Sequence, residues 1–185
     1  MNKHSLAIGL VFAVLAGGVT VHSTYAQEAE VSVADEANIA LAAAEQEVEK
    51  ARVAIEKGKE LIAQIPEDSP LMPDVAQVVQ AASDNWKIAT DSLKGAKESA
   101  AKITTASSEA IANDYALLAK VNAGVALSGA KVVQIAIVYV EAIATDKSEA
   151  LDIIRTTMQD ALASSSQVQF NYERVKTLIA QKYSK

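Results

Sequence analysis

The chain has no cysteine, and its two histidines, His4 and His22, both fall in the first 26 residues, a segment that reads as a removable leader. Without that leader the protein holds neither thiol nor imidazole. This excludes zinc sites built on Cys or His, His-ligated haem, iron–sulfur clusters and di-iron bundles that use Glu-x-x-His ligands. Ser-His-Asp and Cys-His nucleophile systems are excluded on the same ground. No disulfide can form, so stability rests on packing alone, even in an oxidising compartment. Prolines are scarce and clustered, at Pro66, Pro70 and Pro73, and Trp86 is the only tryptophan. A basic run is also missing. The formal net charge is −6, and loss of the leader, which carries Lys3 and no acid, makes it more negative by one. Such a chain has no general attraction for nucleic acid or for anionic lipid.

The leader itself is legible. Lys3 and His4 give a short basic start, and Leu6 to Val21 is apolar and uncharged. Ser23-Thr24-Tyr25-Ala26 then sets small residues one and three positions before a cut, ahead of polar Gln27-Glu28. That order is a secretory signal peptide, residues 1–26, and it places the mature protein in the periplasm or outside the cell. Residues 27–34 are acidic and without pattern, and read as a flexible lead-in. Residues 35–185 are then one domain, long enough to bury a core.

Between Gln27 and Lys185 there are 32 alanines, and alanine has the best helix propensity. The expected fold is all-α, an Ala-rich, elongated, antiparallel bundle of about four long helices. The first spans Asp35 to Ile65. Leu41, Val48, Ile55 and Ile62 recur every seven residues, interleaved with a small-residue column of Ala37, Ala44, Ala51 and Gly58 that ends at Ile65. This is a heptad seam that allows a close neighbour. Its outer face holds acids and bases in alternation. Glu45/Glu49 and Glu56/Glu60 there read as a solvated surface beside Lys50, Lys57 and Lys59, not as paired catalytic carboxylates.

The prolines break the chain, and Pro73-Asp74 opens a second helix. Its ladder is Val75, Val79, Ala82, Trp86, Ala89, Leu93, Ala96, Ala100 and Ile103. Trp86 reads as a core anchor; a stacking role for it requires a cleft. A turn is expected within Thr104–Asp114, where Asn113-Asp114 offers a cap, with a continuous helix as the alternative. Tyr115 to Ala144 is the most apolar stretch. Lys120, Lys131 and Glu141 shorten its uncharged runs below the ~20 residues of an ordinary span, so it reads as a helix buried nearly all round, at the bundle centre or shielded by a partner. Gly124 and Gly129 permit a close crossing or a bend. Asp146-Lys-Ser-Glu149 resembles a capping box. The last ladder follows as Leu151, Ile154, Met158, Ala161, Ser165, Val168, Tyr172, Val175 and Ile179. Ser164-Ser165-Ser166 interrupts it as a close-packing point or a soft spot.

No catalytic, cofactor-binding or metal-binding residue is designated. There is no Gly-Lys-Ser/Thr phosphate loop and no Asp/Asn-rich calcium loop. Ser99-Ala-Ala-Lys102 matches a nucleophile motif in letters only, on an ordinary Ser/Lys-rich helix. The expected function is that of an exported, non-enzymatic structural or interaction protein of the cell envelope, working through helix–helix contacts with itself or a protein partner. The alternative is a module that binds an apolar ligand, a lipid surface or an unfolded client through Tyr115–Ala144. Membrane contact is compatible with either reading, but a membrane span is not expected after leader removal.

Overall fold

The structure, a computed structural model, describes residues 32–183. The leader and most of the lead-in lie outside the described residues. Four long helices account for nearly all of what is described: α1 (Val33–Ile62), α2 (Met72–Ile103), α3 (Glu109–Ala144) and α4 (Leu151–Lys182). Helices of 30 to 36 residues are ~45–55 Å long at 1.5 Å per residue.

The ends of these helices follow local chemistry and revise several expected boundaries. Helix α1 begins two residues early because Ser32 caps it, accepting from the Asp35 amide at 3.1 Å. Its regular part stops at Ile62, not Ile65. The residue before Pro66 is driven away from helical geometry, and the chain leaves through tighter turns, with the Gln64 and Ile65 amides bonded to the Leu61 and Ile62 carbonyls. Ile65 is nonetheless buried. A turn does separate α2 from α3, but Asn113-Asp114 does not form it. Ser108 is the N-cap, accepting from the Ile111 amide at 3.3 Å, so α3 starts six residues before Tyr115. The capping box at Asp146–Glu149 is not formed either. Asp146 adopts φ 52°, and its amide bonds to the Ile143 carbonyl while that of Lys147 reaches Ala142 at 2.8 Å. This is a Schellman closure of α3. Asp tolerates the left-handed conformation that it requires, and a short 3₁₀ turn, Ser148–Ala150, then leads into α4 without a side-chain cap.

Cross-helix pairs fix the topology. Glu36 meets Lys120 and Lys57 meets Glu141, so α1 and α3 run the same way. Asp74 meets Tyr139 on α3, while Arg155 of α4 meets both; Lys182 of α4 meets Asp114 near the start of α3. Sequential helices are therefore antiparallel, up-down-up-down. Helix α3 touches all three others, and α4 makes no backbone contact with either α1 or α2.

The alanine seams are where the backbones come together. In α1 the small column is the buried one: Ala37, Ala44 and Ala51 have no exposed surface, while Leu41, Ile55 and Ile62 flank it half-buried. Ala89 and Ala96 of α2 and Ala119, Ala126, Ala130 and Ala136 of α3 are equally enclosed. Small side chains at facing positions let helices approach closely and interlock. Every rung of the expected α4 ladder is buried or half-buried. Among the described residues no buried side-chain polar atom lacks a partner.

Candidate functional site

The main feature open to a partner lies between α1 and α4, whereas the equally separate backbones of α2 and α4 are bridged by Asn85–Ser165 and Asp74–Arg155. On α3, Leu117, Lys120, Gly124, Lys131, Ile135 and Val138 fall within about 60° of one another at 100° per residue. That strip points away from α2, which packs on Asn122 and Gly129 across the helix. Leu117 is 39% and Val138 43% exposed. A Cβ placed on Gly124 would meet only Val168, at an ordinary 3.8 Å. Three further apolar side chains flank the strip, on the side opposite α2: Ile39 of α1, and Ile153 and Leu178 of α4, each more than half exposed. By length and composition α3 is long and apolar enough to cross a membrane, although most of its apolar window is buried within the bundle. That corrects the sequence argument that Lys120, Lys131 and Glu141 cut the apolar run too short. The length is sufficient, and the packing on three sides marks a core helix.

Ion pairs edge this face and neutralise it. Lys120 lies 2.7 Å from Glu36 and Lys57 2.7 Å from Glu141. Glu47 holds Lys50 at 2.6 Å and accepts from Gln134 Nε2 at 3.0 Å. Burial acts to raise the Glu47 carboxyl. The bonds from Lys50 and Gln134 and the nearby charges of Lys50 and Lys131 outweigh it, and the group sits below its ordinary value.

Two polar clasps hold α4. At one end the Tyr139 hydroxyl, on a side chain 1% exposed, donates to Asp74 at 3.3 Å and accepts from Arg155 at 3.0 Å. At the other, Asp114 accepts from Lys182 at 2.7 Å and from the Tyr183 hydroxyl. Asp114 was expected to cap a turn. It lies instead within α3 with its side chain only 18% exposed. Burial raises its carboxyl, but these two donors more than compensate and hold it below the usual carboxylate range. Midway, Ser165 is buried and donates to Asn85 of α2 at 3.5 Å, while Gln169 donates to Ser165 at 3.3 Å. Of the serine triplet, Ser165 is therefore a close-packing point, while Ser164 and Ser166 are exposed. Sequence reading passed over Asn85, although it sits three residues beyond Ala82 on the inward side of α2.

Trp86 is half-buried. It packs on the core and also borders an apolar groove of about 200 Å³ between α1 and α2, lined by Ile55, Ile62, Val79 and Ile137. Trp86 is thus one wall of this groove. The remaining sequence candidates disperse. Glu45 pairs with Lys97, Glu49 with Arg52 and Glu56 with Lys59, while Lys102 lies over the Tyr115 ring. Among the described residues no three His, Cys, Asp or Glu side chains converge.

The chain matches no known protein family, and neither a curated protein nor a solved structure is similar to it.

Proposed function

We propose that this is an exported, non-enzymatic interaction protein of the cell envelope, acting through helix–helix contacts made by the face opposite α2. The observation that carries the reading is the strip of α3 that is exposed at Leu117, Lys120 and Val138 and half-buried between them. An apolar central helix is packed on three sides and partly open on the fourth, and exposed aliphatic side chains of both neighbouring helices flank the opening. Exposed apolar side chains grouped on one face mark interaction sites on soluble proteins. The basic start, apolar run and small residues before Gln27 support export. A photo-cross-linking residue at Val138 is expected to trap a protein in cells, while the same residue at Phe170, on the outer side of α4, traps none. Equal trapping from both positions, or none from Val138, would sink the reading. Mature protein that begins at Met1 and fractionates with the cytoplasm would sink its export.

The Trp86 groove supports a second reading, a site for a small apolar ligand. Trp86 is the only tryptophan, so its emission reports the groove directly. Saturable quenching or a blue shift on titration with a medium-chain fatty acid supports this reading; unchanged emission rejects it.

A further inference from the structure

The partner that best fits the open face is a second copy of this chain. We propose that two copies pair face to face with their α3 helices antiparallel, about a two-fold axis passing beside Leu127 and Ser128. The inference rests on the reading of this face as an interaction surface and names its occupant.

Three observations converge on it. The first is positional. Leu117 and Val138 are equally far from the Leu127–Ser128 midpoint, and so are Gly124 and Lys131. An antiparallel pair therefore sets Leu117 against Val138 of the other copy at both ends of the strip. It also lays the aliphatic stem of Lys131 over Gly124, where there is room for it. The α4 shoulder obeys the same symmetry. Arg155 sits beside Tyr139, Val168 beside Gly124 and Lys182 beside Asp114. That register puts Ile153 and Leu178 near opposite ends of the α3 strip, about level with positions 141 and 116 at one common rise per residue. The two-fold consequently brings Ile153 of one copy to Leu178 of the other. An isologous interface demands this self-complementarity: if one residue meets a second, the second must meet the first.

The second observation is area. The five exposed aliphatic side chains on this face present on the order of 400 Å² of apolar surface, close to the apolar share of a standard interface of about 800 Å² per partner. The third is charge. The lysines at the edge are answered within the protomer, Lys120 by Glu36 and Lys57 by Glu141, so two copies meet without opposing rows of one sign.

The absence of cysteine makes the test clean, because every introduced thiol is the sole reporter. Light scattering of the purified protein is expected to give twice the chain mass at micromolar concentration. V138E should give a monomer with an unchanged circular dichroism spectrum, since the side chain is already partly in water. On mild oxidation, an equimolar mixture of L117C and V138C should form a mixed disulfide dimer, and neither variant alone should link. A monomer at all concentrations overturns the proposal, as does L117C linking to itself in preference to V138C. If the protein is monomeric but Val138 still traps an envelope protein in cells, the second copy is rejected and the interaction reading stands. A monomer that traps nothing removes both.

Discussion

Gly129 of α3 rests against the backbone of Asn85 on α2, where an added Cβ would lie 2.9 Å from the Asn85 carbonyl oxygen and 3.3 Å from the Ala89 amide nitrogen. Neither neighbour is the free end of a side chain. The contrasting position is Gly58 of α1, whose added Cβ would meet the terminal Cδ1 of Ile137, an atom that can swing aside. The two glycines therefore respond oppositely to the same change. G129A is expected to destabilise by about 1–3 kcal/mol through overpacking, despite the gain in helix propensity. G58A is expected to be neutral or stabilising by up to about 1 kcal/mol. Urea unfolding of both variants checks this, and equal effects would contradict the packing argument.

Tyr139 joins three helices through one hydroxyl. Y139F keeps the buried ring but removes both of its hydrogen bonds, leaving Asp74 and Arg155 paired at 3.1 Å. A loss of about 0.5–1.5 kcal/mol per bond is expected. In the R155A background the loss should shrink, because the hydroxyl then has one partner fewer. A double-mutant cycle measures the coupling.

Helix α4 should open before the rest. Only Leu151, Ala161 and Ser165 of its 32 residues are buried, against fifteen in α3, and it has no backbone contact with α1. Local openings follow such differences in buried contact. Hydrogen exchange is expected to be faster at amides across Leu162–Thr177 than at Val125–Val140. Uniform protection of the two segments would show the bundle to be a single cooperative unit.

Acid should loosen the α4 end near Asp114. This carboxyl titrates below its ordinary value in the fold, so the unfolded chain binds the proton more tightly. The clasp therefore contributes its full stability above the ordinary carboxylate range of about 4 and loses it as pH falls through the lowered folded value. D114N should flatten this part of the acid dependence. Chemical denaturation of both proteins between neutral pH and pH 3 checks it.

Much of the fold was written in residue spacing. The ladders of α1, α2 and α4 depend on a 3.6-residue period meeting an apolar neighbour, a local rule that any sequence displays openly. The boundaries were less legible because caps compete. Ser108 and Asn113-Asp114 are both plausible starts for α3, and Asp146 suits either the end of one helix or the beginning of the next. Neither case is decided until the whole chain has packed. Trp86 shows the same limit, since an aromatic on an inward ladder can still edge a groove when the partner helix diverges.

By itself the sequence determined the chemistry that is missing and the period that makes helices: no thiol, imidazole only within the first 26 residues, and alanine columns that invite close neighbours. Only the tertiary structure decided that α3 would be packed on three sides and partly open on the fourth, that Asp114 would be a half-buried anchor for the end of α4, and that Gly129 would carry a backbone crossing. Those outcomes depend on which helices become neighbours at which register. Helical spacing specifies a buried face but not the partner that covers it.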